Sequence, residues 1–292
     1  MLVSAVSFGL AALLVRVATA RGMSGGQVAT VRFAVGLAAV VALFAFRSGT
    51  FRPARYGLLA VRGLVGGLAA LLYFLALARI SAGEATLLNN LYPIFAVGIS
   101  LVTLGERPTL HLGLALLLAS AGVVLVLGGG GLRLTLGWGE VLGILSGLAG
   151  GVAVTSIRAL RSSAAAVNAP TIFFAFSLGG VLVAAPVAGT AWTADAWAWA
   201  AALATGLAAA LAQLAMTEAY GGLSVPEAAV WQQLTPISAY VWALLLGEPL
   251  GGATALGVLL GITGVVYGSL LGHRPGARAS AAAKVPVLPA EE

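Results

Sequence analysis

The 292-residue sequence contains no cysteine, which excludes disulfides, thiolate metal sites and a cysteine nucleophile and leaves the redox compartment unread. Charge is nearly as scarce. Only 8% of residues are Asp, Glu, Lys or Arg, against about a quarter in a soluble domain. Histidine occurs only at positions 111 and 273, and Lys284 is the sole lysine. With 60% hydrophobic residues and a mean hydropathy of +1.05, the chain has too little polar surface to cover itself in water. Its solvent is therefore lipid. The net charge of +6 is not a nucleic-acid footprint, because the arginines are scattered singly along expected loops and helix ends. No metal and no cofactor is expected. The arginine bias suggests a GC-rich bacterial genome.

What is abundant is glycine, at 40 residues, which lets membrane helices approach closely. A spanning helix needs about 20 mainly apolar residues. Ten such segments can be read: 2–20, 26–46, 57–77, 84–104, 110–128, 138–157, 169–187, 196–216, 226–246 and 252–271. The runs are continuous, unlike the alternating strands of a barrel. The first lacks a basic flank and has many successors, so it reads as a helix and not a signal peptide. The Pro/Ala-rich tail, 273–292, reads as disordered and cytoplasmic. Basic residues set the orientation. The loops and tail on the N-terminal side contain nine (Arg47, Arg52, Arg55, Arg107, Arg158, Arg161, Arg274, Arg278 and Lys284), the other side three (Arg21, Arg79 and Arg133). Both termini are expected in the cytoplasm. Arg16, Arg32 and Arg62, within or near helix ends, are left out of that comparison.

The chain repeats itself. "SAGEATLLNNLYPI" aligns with "SVPEAAVWQQLTPI" at an offset of 143, and "LGERP" with "LGEPL" at 142. "FGLAALLVRV" pairs more loosely with "GGVAVTSIRA", setting Arg16 opposite Arg158. Half of ten helices is five, and two copies of an odd-numbered unit cross a membrane in opposite senses. The expected fold is an all-α integral membrane protein of ten helices in two inverted five-helix repeats, 1–128 and 138–271. That architecture is common among secondary transporters and puts the site near mid-membrane at the repeat interface.

Over the chain up to its tail, "LYPIF…LGERPT", "LTPIS…LGEPLG", the following "GVV" helices and "VRFAVGLAA" resemble the drug/metabolite transporter superfamily in its EamA-type ten-helix branch. The resemblance implies export or exchange of small metabolites across the bacterial plasma (inner) membrane through a central cavity. Within the superfamily, "NNLYP" is most similar to exporters of aromatic and other neutral amino acids. Partners are then the small-molecule substrate and the bilayer, with no nucleic acid and no need of more than a monomer.

Several residues are candidates for the path. Asn89 and Asn90, about six residues into the fourth segment, point roughly 100° apart, so at most one of them looks squarely into a cavity. Gln232 and Gln233 are their counterparts. Each amide is read either as glue between helices or as a substrate contact. Pro93 and Pro236 free the carbonyls of Asn89 and Gln232 and offer bending points, or hinges. Tyr73, Tyr92, Trp231 and Met216 are further candidates for substrate binding, against packing as the alternative. Glu84 and Glu227 follow Ser81 and Ser224 by three residues, the spacing of a capping box. That role is favoured over proton coupling. Arg32 is either a cavity cation or gate partner, or a snorkelling side chain. Snorkelling is favoured for Arg16 and Arg158. Glu218 is a candidate cavity residue near the end of the eighth segment. Neutral or zwitterionic cargo is preferred, since phosphorylated cargo wants several cavity cations. Drugs, nucleotide-sugars or other metabolites remain an alternative cargo, and an intramembrane enzyme is a distant one. No His-Glu-x-x-His and no paired intramembrane aspartates are present.

Overall fold

Many small residues sit inside this protein and many leucines outside. The computed structural model describes residues 1–272 except 78, 81, 128–136, 164, 246 and 248–250. Ser81, Arg133, Glu248, His273, Arg274, Arg278, Lys284 and the tail at 273–292 thus lie outside the described residues. The helices are α1 (Leu2–Ala20), α2 (Gly25–Phe46), α3 (Tyr56–Leu77), α4 (Ala82–Asn89), α5 (Tyr92–Thr103), α6 (Leu110–Leu127), α7 (Trp138–Arg161), α8 (Ala169–Ala184), α9 (Ala196–Ala219), α10 (Val225–Gln232), α11 (Leu234–Leu245) and α12 (Gly252–Leu271). A 3-10 turn, Ala185–Val187, extends α8. Among the described residues, nine helical runs are long and apolar enough to cross a membrane, with Glu84–Thr103 counted through its interruption.

Several ends are set by caps. Ser24 Oγ accepts from Gln27 N at 3.2 Å, and Gln27 Oε1 accepts from Ser24 N at 2.9 Å, a box that starts α2. Asn168 and Asp195 cap α8 and α9 by accepting first-turn backbone N–H groups, without the reciprocal bond of a box. The expected seventh and eighth runs begin where these caps lie. The sixth and eighth run on to Arg161 and Ala219, several residues past the sequence estimate.

The fourth and ninth expected segments behave differently. Each is one run in the sequence and two helices in space. The interruptions fall at Asn90–Leu91 and at Gln233, the last of the interrupted positions lying two or three residues before Pro93 and Pro236 respectively. A proline ring clashes with the carbonyl four residues back and supplies no N–H to it. The helical hydrogen-bond ladder is therefore broken just before each proline.

The packing follows the lipid solvent. Along α9 the buried positions include Ala198, Ala201, Ala202, Thr205, Gly206 and Ala209, whereas Leu203, Leu207 and Leu211 are 47%, 62% and 55% exposed. Lipid tails are as apolar as leucine, so nothing drives leucine inward, while small residues gain close contact. A Cβ on Gly63 would stand 2.6 Å from Ala175 O, and one on Gly67 2.8 Å from Gly179 O. Gly151 lies against Phe95 and Ala96, and Gly257 against Gly122. These glycine contacts lie within the chain.

Long-range packing pairs α3 with α7 and α8, α1 with α9 and α11, α2 with α8 and α9, α5 with α7, and α6 with α12. Met1, Leu104 and Leu223 pack against one buried cluster that includes Val167, Tyr220 and Val225, so the chain start and the turns after α5, α7 and α9 share one end. The opposite end joins Arg21 to Asp195 and Gln27 Nε2 to Ala191 O.

Candidate functional site

One face of α3 carries Arg62, Gly66, Ala69 and Tyr73, residues spaced so that they stack on one side of a helix. Arg62 and Tyr73 are eleven residues apart, about 16 Å along the axis at the usual rise per residue. The interrupted helices meet this face at two levels.

At the upper level, Tyr73 Oη and Thr86 Oγ1 are 2.8 Å apart, and Asn90 Nδ2 donates to Thr86 O at 3.0 Å. Asn90 thus lies one turn after Thr86 on the stripe that meets α3. Asn89 turns elsewhere. Its Nδ2 donates to Ser146 Oγ at 2.6 Å, and Ser146 Oγ donates to Ala69 O at 2.8 Å, joining α4, α7 and α3. Gly147 makes this approach possible, because a Cβ there would meet Leu88 O at 2.9 Å and Asn89 O at 3.3 Å. The carbonyl of Asn89 that Pro93 frees therefore lies against α7.

At the lower level, the Tyr92 hydroxyl donates to Gln232 Oε1 at 2.9 Å, which ties the two interrupted helices together. The Tyr220 hydroxyl lies beside the same Gln232 side chain. Gln232 is 3% exposed, and its Nε2 has no hydrogen-bond partner. Gln233 faces the other way, donating to Ser120 Oγ on α6 at 2.9 Å. Trp231 packs with Leu112, Leu116 and Val265 on that same α6–α12 side. Met216 is buried in the cluster with Tyr220 and Ile157. Equivalent amides in the two repeats thus make unlike contacts: Asn89 bonds a serine on α7, Gln232 a tyrosine on α5.

Arg62 completes the lower level. It is 3% exposed, and its guanidinium lies 3.9 Å from the ring centroid of Phe176. Sequence reasoning set this residue aside as a helix-end arginine. Its position six residues inside an apolar run was the available signal. Arg32 is half-buried over Phe33 at 5.2 Å. Pro93 and Pro236 are both buried.

Below Tyr220 the bundle is bridged by a carboxylate. Glu106 Oε1 accepts from Arg158 Nε at 2.7 Å, and Glu106 Oε2 accepts from Val225 N, the start of α10, at 2.6 Å. Arg158 Nη1 also donates to Tyr220 O at 3.0 Å. An anion at a helix N-terminus is favoured by both the free N–H groups and the dipole. The expectation that Arg158 snorkels does not hold, since it is 9% exposed and, with Glu106, holds four segments together. Glu218, a candidate for the cavity, pairs instead with Arg161 and is largely exposed. Glu227 accepts from Ser224 N at 2.8 Å and Ser224 Oγ donates to it at 2.9 Å, a capping box at the start of α10. Glu84 lies half-buried in the first turn of α4, and its expected partner Ser81 is outside the described residues.

An apolar groove between α1, α11 and α12, lined by Leu2, Val6, Leu234, Ile237, Val241 and Ile262, opens on the flank. It contains nothing of this chemistry. Among the described residues no cluster of His, Asp or Glu could hold a metal ion.

Long apolar helices with small residues inside, leucines outside and a polar face deep within the bundle define a multi-pass helical membrane protein. Residues 1–128 are similar to the EamA-like transporter family. No curated protein matches the chain. Among solved structures 29 chains match. One is a crystal structure at 20% identity that covers 92% of this chain and 97% of its own, with a TM-score of 0.78. At that identity the likeness establishes the fold.

Proposed function

We propose that the chain is a secondary transporter of small metabolites with ten crossings in two inverted five-helix halves, 1–128 and 138–271. Pairing α1 with α7, α2 with α8, α3 with α9, α4–α5 with α10–α11 and α6 with α12 supports this. Under that exchange the α3–α7 contact maps onto α1–α9, α5–α7 onto α1–α11, and α3–α8 onto α2–α9. The α6–α12 and α2–α8 contacts map onto themselves.

The observation that carries the functional reading is the Tyr92–Gln232 hydrogen bond between two helices that are each interrupted just before a buried proline. Polar groups and irregular backbone survive at membrane depth only where protein buries them or where they line a path. The two interrupted helices flex about Pro93 and Pro236 while the halves rock, the site being exposed to each side in turn. In the described conformation the Glu106–Arg158 bridge ties together the end that holds the N-terminus. The basic-residue bias assigns that end, and the tail at 273–292, to the cytoplasm of a bacterium. The cargo of this reading is an aromatic or other neutral amino acid moving outward across the plasma membrane, with Asn90, Tyr73, Tyr92 and Gln232 along its path. Arg32, Glu84 and the capping carboxylate Glu227 stand as gate or coupling residues.

Counterflow of labelled L-phenylalanine in proteoliposomes tests this. Saturable exchange that falls in Gln232→Leu and in the Pro93→Ala/Pro236→Ala variant is the expected result. Absence of exchange for any neutral amino acid removes the cargo, and wild-type exchange by the double proline variant removes the hinges.

A further inference from the structure

Two cations lie on aromatic faces within the bundle, Arg62 buried and Arg32 half-buried. Arg62 stacks over Phe176 at 3.9 Å, Phe176 meets Phe33 edge-on at 5.2 Å, and Arg32 lies over Phe33 at 5.2 Å. The ion pairs Arg21–Asp195, Arg158–Glu106 and Arg161–Glu218 leave both of them out. Arg62 Nε has no hydrogen-bond partner. Through these two rings both guanidinium groups belong to one aromatic cluster.

This arrangement suits a receptor better than a strut. A guanidinium stacked on a ring keeps its in-plane N–H fork free for a carboxylate. Gly66 lets the stacked pair lie against α3, since a Cβ there would lie 3.0 Å from Arg62 Nη1 and 2.9 Å from Phe176 Cδ2. The other unpartnered groups nearby are also donors. Gln232 Nε2 belongs to the side chain beside Tyr220, and Gln213 Nε2 lies two turns from Tyr220 on the same stripe of α9. The unpartnered acceptor Gln233 Oε1 belongs to the opposite face, toward Ser120. Nor does the internal repeat require these cations. At the offset of 143, Arg62 faces Thr205 and Arg32 faces Ala175.

We propose that Arg62, backed by Arg32, is the anion subsite of the transport path, and that the cargo carries a carboxylate seated on the Arg62 guanidinium beside Gln232 and Tyr220. This rests on the transporter reading and narrows it: the carboxylate is obligatory, whereas an ammonium group is not.

Three probes of one shape separate the possibilities: 3-phenylpropionate (anion), L-phenylalanine (zwitterion) and phenethylamine (cation). Binding is read on the purified full chain in detergent by ligand-induced thermal stabilisation. Both carboxylates bind and phenethylamine does not. Arg62→Gln weakens both carboxylates by about tenfold or more, as loss of a charge-assisted fork requires, and Arg62→Lys recovers part of the affinity. Binding of phenethylamine equal to that of 3-phenylpropionate, no binding of either carboxylate, or unchanged affinity in a folded Arg62→Gln variant overturns the proposal. If that variant does not fold, the contrast among the three probes on the wild type decides. Carboxylates that bind at Arg62 but never cross a proteoliposome membrane sink the transporter reading and leave the subsite standing.

Discussion

Glu106 is the residue whose removal most directly tests how one end of the bundle is closed. In Glu106→Gln the shape is kept and the charge is lost. The carboxylate accepts from Arg158 Nε at 2.7 Å and from Val225 N at 2.6 Å, and the two side chains are 11% and 17% exposed. Breaking a fully buried ion pair from one side costs about 3–5 kcal/mol. This pair is partly solvated, and glutamine still accepts one hydrogen bond, so the loss is about 2 kcal/mol. If these contacts exist only while this end is shut, the ratio of closed to open shifts by about 30-fold. The absence of cysteine makes the readout clean. Ala228 lies one turn from Gln232 on the same face of α10 and is 0% exposed. A single Ala228→Cys chain, treated with a membrane-impermeant maleimide from the N-terminal side, reacts about 10- to 30-fold faster in the Glu106→Gln background, following the closed-to-open shift. Equal labelling rates in two folded proteins would refute the reasoning and make Glu106 a plain helix cap.

Other consequences follow from the same contacts. A double-mutant cycle of Asn89→Leu with Ser146→Ala measures the α4–α7 bond by thermal unfolding in detergent. A coupling of about 0.6 kcal/mol is expected, and zero coupling means the bond contributes nothing. Gly63→Val forces α3 off α8 at Ala175 O and destabilises by about 1–3 kcal/mol. An unchanged Tm contradicts the close approach. Asp195 is held below the usual carboxylate range by the Trp197 backbone N–H first, then by Ala198 N and Arg21. A depressed folded pKa gives stability that is present above the unfolded value and lost as pH falls through the folded one. The Tm difference between wild type and Asp195→Asn therefore persists near neutrality and vanishes in acid. A difference independent of pH rules out the charge as its source.

Helix positions were legible because each is a local statement. Runs at 2–20 and 252–271 reappear as α1 and α12, and the capping spacing at Ser224 and Glu227 forms its box. Proline positions lie just after the interruptions of the fourth and ninth runs. The destinations of the amides were not legible. Adjacent side chains diverge by about 100°, but the sequence does not say which neighbour waits on each side. Asn89 found Ser146, Gln232 found Tyr92 and Gln233 found Ser120. Arg62 was misjudged for a related reason. Six residues from a helix end, an arginine either snorkels or stays, and the choice depends on what covers it.

The sequence by itself determined the solvent and the segmentation. Few charges, long apolar runs and abundant glycine leave a lipid-embedded helical bundle as the one way to satisfy every backbone group. The doubled Glu-to-Pro motif marked an internal repeat. Only the tertiary structure decided which polar residues meet. It stacked Arg62 on Phe176, joined Tyr92 to Gln232 across 140 residues of chain, and set Glu106 at the start of α10. A hydrogen bond or a stacked cation depends on distances of a few ångströms between helices remote in sequence, and those distances are fixed by glycine and alanine contacts that no single segment contains.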